Sequence, residues 1–175
     1  PLLLPLLSVL IGYVFALFLK PEAKKNLKLL LAFSGSFLLS LTVMHLLPTL
    51  YEAHNSSVGL YIMLGILFQI ILEFFSKGAE HGHVHGHEKL FKMPWLLFVS
   101  LCIHALLEGF PVSHQHELAL GIAIHHFPIA IILTTFFVNA QLNKKAIFLF
   151  MISFAIMTPL GTLLSDILPF LNDYY

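Results

Sequence analysis

Apolar residues run along this chain in long blocks of 17 to 24 positions, separated by short polar connections. A helix rises about 1.5 Å per residue, so roughly 20 apolar residues cross a hydrocarbon layer about 30 Å thick. Six segments meet that length: Leu2 to Leu19, Leu27 to Leu50, Val58 to Phe75, Trp95 to Pro111, Leu118 to Val138 and Ala146 to Leu168. The pattern predicts an all-α, polytopic transmembrane helix bundle of six spans. It occupies residues 1–175 as a single domain. Buried helices of a soluble core do not explain six such runs in succession. Pro159 lies within the last run, where a kink or a break is expected.

Lysine placement orients the spans. There is no Arg, and the lysines fall in alternate connections. Lys20, Lys24, Lys25 and Lys28 follow span one, Lys77, Lys89 and Lys92 follow span three, and Lys144 and Lys145 follow span five. Basic residues near span ends mark the cytoplasmic side. The N-terminus is therefore expected outside.

Composition agrees with this reading. The chain is 58% hydrophobic and 10% charged, whereas a soluble domain carries about a quarter charged residues. The net charge is zero, so nothing points to a nucleic-acid partner. The lone Cys102 forms no intrachain disulfide. The first apolar run has no basic segment before it and no small-residue cleavage site after it. It reads as a span and not as a removed signal peptide. Because the chain begins at Pro1, the true N-terminus is expected upstream. The lipid bilayer is the implied environment. The lysine pattern, short loops and lack of disulfides suit a multi-pass protein of a bacterial inner membrane, and a homodimer is compatible with the sequence.

Histidine is the compositional outlier, with 11 in 175 residues. Four lie in the one long connection, residues 76–94, which contains Glu80-His81-Gly82-His83-Val84-His85-Gly86-His87-Glu88. Alternating Gly and His builds no core, so this is expected to be a cytoplasmic loop. Repeated imidazoles bind divalent metals loosely and exchange them fast.

Ionisable residues inside spans are costly and mark functional sites by default. Span four carries His104 and Glu108, four residues apart and so on one helix face. Span five carries His125 and His126, whose side chains point about 100° apart. One is expected to face a pore and the other a neighbouring group. Pro128 frees the carbonyl of residue 124, which is either a weak ligand or a bend. Spans four and five are joined by a short turn and are expected to be antiparallel neighbours. Positions 104 and 125 are symmetric about that turn, which places His104, Glu108 and His125 together near mid-membrane. One carboxylate with imidazoles can grip a single divalent ion. His45, before Pro48, could form an outer entrance with Glu52 and His54. His114, His116 and Glu117 could attract cations on the same side. Glu73 is expected to snorkel to the inner surface.

These residues resemble the ZIP (Zrt/Irt-like) metal transporters. His45-Leu46-Leu47-Pro48 looks like the family's HLLP at the end of span two, and a histidine-rich loop lies between spans three and four, as in the family. His104-Ala105-Leu106-Leu107-Glu108-Gly109 resembles H-N-x-P-[DE]-G, and His125-His126-Phe127-Pro128 resembles H-[END]-x-P-x-E. Thr158-Pro159-Leu160-Gly161 is similar to the family's proline-broken span six. The resemblance implies import of zinc, or of iron, manganese or cadmium, into the cytoplasm, and the donor types leave cobalt open as well. It implies a binuclear site between spans two, four, five and six. By position His104, Glu108 and His125 match ligands of the first metal, and His126 takes the place that serves the second. Ala105 stands where the family has Asn, and Ile129 and Ala130 supply no acid where many bacterial members have one. A mononuclear site is therefore expected. The family has eight spans, so this chain is expected to be part of a longer one.

A second reading is an intramembrane zinc hydrolase acting on a lipid or peptide. It needs a metal with an open position and a separate general base. Glu108 serves as that base only by leaving the ligand set. The hydrolase also leaves the histidine loop unexplained, so a non-enzymatic transporter is the expected function, ahead of a metal sensor or a structural membrane protein.

Overall fold

The computed structural model describes residues 3–19, 24–52, 57–76, 93–113 and 116–167. The histidine-rich run, with His54 and His114, lies outside them. The described residues are helical and contain no strand: α1 (Leu3–Leu19), α2 (Lys24–Leu41), a π-helical turn (Thr42–Leu46), α3 (Leu47–Glu52), α4 (Val58–Ser76), α5 (Trp95–Gly109), a 3₁₀ turn (Phe110–Ser113), α6 (His116–Asn139) and α7 (Lys144–Ile167). Five apolar stretches, Lys28–Glu52, Val58–Phe75, Trp95–Val112, Glu117–Asn139 and Lys144–Ile167, are long enough to cross a membrane, and Leu3–Phe18 is a shorter apolar helix. The chain is a multi-pass integral membrane protein.

Span two is one rod containing a wider turn. Pro48 has no amide hydrogen, so the carbonyl of Met44 loses its partner four residues on. One residue earlier, the Leu47 amide donates to Thr42 O, five residues back, which defines the π turn. Nothing in the apolar pattern of span two marks this turn in advance. Spans five and six, in contrast, run unbroken through Pro128 and Pro159.

Hydroxyls within the helices bond back to their own carbonyls. Thr42 Oγ1 donates to Leu38 O, Thr49 Oγ1 to His45 O and Thr134 Oγ1 to Ala130 O. In an apolar surround this satisfies the hydroxyl at no tertiary cost. The turn from α6 to α7 closes tightly: Gln141 adopts φ 57°, its amide donates to Val138 O and the Leu142 amide donates to Phe137 O. That is a Schellman cap. Asn143 then starts α7 by accepting the Lys145 amide at Oδ1.

Helix α6 is the hub. It packs against α1 and α2, while α5 packs against α7 and α4. The backbones of spans four and five, expected as direct neighbours, come together mainly at the 3₁₀ turn that ends span four, and farther along α5 and α6 meet through side chains. The reason lies in glycine. A Cβ on Gly161 would overlap the carbonyl oxygen of Leu106, and one on Gly109 would overlap that of Thr158. Small residues let backbones approach closely and set which helices meet. Thr162 Oγ1 adds a bond to Gly109 O, 2.8 Å, across the same contact. On the other side a Cβ on Gly12 of α1 would come within 2.8 Å of Phe127 O of α6, and Ser8 donates to Ala123 O nearby. Each of α5 and α6 thus has a preferred partner, and the space between them is bridged by polar side chains. The main apolar core, with Leu101, Leu133, Phe137, Phe150 and Phe154 fully buried, fills the remaining interior. Helix α4 exposes Leu60, Met63, Leu64, Ile66 and Leu67, as expected of a face meeting lipid tails.

Candidate metal centre

Four helices deliver polar side chains to one point near the middle of the bundle. From α5 come His104 and Glu108. Their four-residue spacing stacks them on one face, with His104 Nε2 3.2 Å from Glu108 Oε1. From α6 come His125 and His126, with ring centroids 6.3 Å apart. The 100° turn between consecutive residues separates their roles. His104, Glu108 and His125 each offer one ligand atom, and these atoms lie within 4.8 Å of one another. His126 instead places Nε2 2.7 Å from Glu108 Oε2. It is the most deeply buried of the four, with its ring 5.2 Å from that of Phe154 on α7.

Two further residues belong to the cluster. Gln69 of α4 accepts a bond from His104 Nδ1 at Oε1, 2.9 Å. Ser34 of α2, fully buried, donates to Leu31 O at 2.9 Å and lies 3.4 Å from His125 Nδ1. Neither is ionisable, so neither stands out in the sequence as a candidate ligand. The available signal was an amide and a hydroxyl in the middle of apolar spans, where an unpartnered polar group costs several kcal/mol.

The arrangement suits a divalent ion. Bonds of about 2.0–2.2 Å place tetrahedral ligand atoms roughly 3.4 Å apart. Closing on an ion from the present spread takes side-chain shifts of about 1 Å. A carboxylate with two imidazoles is a borderline donor set, suited to zinc, iron, manganese or cobalt. It leaves a coordination position for water or another group.

Toward the lysine-free end, His45 in the π turn lies 3.7 Å from Glu117 at the start of α6. Both side chains are more than half exposed. The two outer groups considered separately in the sequence thus meet, with His45 paired across helices to Glu117. Glu73 lies one turn before the end of α4, on the lysine-bearing side.

No protein-family model matches the chain, and no solved structure matches it. A curated protein, "Zinc transporter ZIP1" of Danio rerio, is 30% identical over 89 residues. The match covers 47% of this chain and 30% of that relative, so the chain spans less than a third of the relative's length. Over about half its length, then, this chain is similar to a zinc transporter.

Proposed function

We propose that the protein belongs with the ZIP transporters and carries a divalent cation, zinc foremost, across a membrane toward the lysine-bearing, cytoplasmic side. The observation that carries this reading is the convergence of His104, Glu108 and His125 at one intramembrane point. The similarity to a zinc transporter supports it. The three residues hold the ion, one ion per site. His45 and Glu117 draw cations toward it from the opposite face, and the histidine-rich run receives them on release. The lysine pattern and short connections suit a bacterial inner membrane.

The donor set fits transit. Conduction requires binding that is favourable enough to enter and weak enough to leave. A mixed carboxylate and imidazole site meets that demand better than a closed thiolate cage. Glu108 is engaged by imidazoles on both oxygens. Among the described residues the other carboxylates, Glu52, Glu73, Glu117 and Asp166, lie toward helix ends. A hydrolase with a carboxylate base would need a second acid beside the metal, and among the described residues none stands there.

The test is zinc uptake into proteoliposomes by the chain and by its His104→Ala and Glu108→Ala variants. Uptake by the wild type, lost in both folded variants, is the expected result. A wild-type chain that binds zinc yet moves none would sink the transport reading.

A further inference from the structure

Each of the three converging ligands has its own partner, and each partner comes from a different helix. Gln69 on α4 faces His104, Ser34 on α2 faces His125, and His126 on α6 faces Glu108. We propose that Gln69 and Ser34 are positioning residues that fix both metal-binding imidazoles with the proton on Nδ1 and the lone pair on Nε2, aimed at the ion. This rests on the reading of His104, Glu108 and His125 as the ligands of the transported cation.

The hydrogen-bond chemistry determines the tautomers. The Gln69 carbonyl oxygen only accepts, so His104 Nδ1 must carry the hydrogen. A neutral imidazole then has its lone pair on Nε2, the atom that lies 3.2 Å from Glu108 Oε1. The Ser34 hydroxyl commits its hydrogen to Leu31 O. Toward His125 it can only accept, so Nδ1 carries the hydrogen there as well, and the lone pair of the neutral ring falls on Nε2. The 3.4 Å separation makes this the weaker of the two bonds.

The placement of Gln69 argues that this is its purpose. On α4 it stands among Leu64, Ile66, Leu67, Phe68 and Ile70, all exposed to the hydrocarbon side, while Gln69 itself is half-buried toward α5. An amide at that depth is unfavourable unless it has a partner. α4 packs on α5, so Gln69 is the point at which α4 enters the centre. A carbonyl oxygen holding the second nitrogen of a ligand imidazole fixes ring orientation and raises its basicity.

The probe is Co²⁺ alone, titrated into the purified 175-residue chain in detergent and followed by its visible d–d absorption. The set is wild type, Gln69→Leu, Gln69→Glu, Ser34→Ala and His104→Ala. Gln69→Leu keeps the size and removes the acceptor. It is expected to weaken Co²⁺ binding roughly 10- to 100-fold and to change the spectrum as the ring turns. Gln69→Glu keeps an acceptor oxygen and is expected to restore affinity and spectrum. Ser34→Ala is expected to weaken binding by less than Gln69→Leu. A folded Gln69→Leu with wild-type affinity and spectrum overturns the proposal. So does a Gln69→Glu that fails to recover what Gln69→Leu loses, since packing alone would then account for the residue. If Gln69→Leu does not fold, Ser34→Ala decides, and an unchanged spectrum and affinity overturns the assignment. Loss of binding in His104→Ala beside a normal Gln69→Leu leaves the ligand reading standing and removes only this one. No Co²⁺ binding by the wild type removes both.

Discussion

Glu108 Oε2 and His126 Nε2 lie 2.7 Å apart, across the space that separates α5 from α6. The other carboxylate oxygen faces His104. Glu108 is therefore turned edge-on between two imidazoles, with its plane fixed by one group from its own helix and one from α6. The bond from His126 to Glu108 is charge-assisted, and such bonds are short and about twice as strong as neutral ones.

From that pairing follows a distinction between ligand and support. If His126 orients Glu108, a side chain that still donates should serve in its place. His126→Gln is expected to keep one zinc per chain and most of the affinity. His126→Leu is expected to keep the stoichiometry and lose roughly 10- to 100-fold in affinity. Calorimetric titration of zinc into the purified variants reads both quantities. A drop from two ions to one in either variant would show that His126 holds a second ion.

The contact between α5 and α7 makes a stability prediction. A Cβ on Gly161 would overlap the backbone of Leu106, and backbone cannot step aside as a side chain can. Overpacking of this kind costs typically 1–3 kcal/mol. Gly161→Ala should lower the thermal unfolding midpoint in detergent and disturb the site, because Leu106 sits between His104 and Glu108. Gly35→Ala is the control. Nothing lies within 4 Å of a Cβ there, and Ala favours helix by close to 1 kcal/mol over Gly. Its midpoint should stay level or rise.

Acid should inhibit zinc uptake. An imidazole binds metal only when neutral, and histidine changes charge between about pH 5 and pH 8. Protons compete with the ion for His104 and His125, so the half-saturating zinc concentration should rise as pH falls across that range. Initial rates over a series of zinc concentrations at each pH measure this. A half-saturating concentration that does not move with pH would exclude imidazole ligands from the rate-determining site.

Much of the bundle was legible in the chain. Apolar length set the spans, because a helix must satisfy its own backbone in hydrocarbon. Predicted and observed limits differ by a few residues at most, as for Ala146 to Leu168 against Lys144–Ile167. His104 and Glu108 could be placed on one face from their spacing alone. Their depth match with His125 followed from counting about the turn between the spans.

What the chain did not disclose was which helices touch. Chain order suggested that α5 lies on α6. The close approaches at Gly109, Gly161 and Gly12 decided otherwise, and the three-dimensional partner of a glycine is not encoded in its neighbours. The same holds for Gln69, Ser34 and the split between His125 and His126. Their roles depend on which side chain arrives from another helix. Spacing fixed what each helix could present; only the tertiary packing determined what it was presented to.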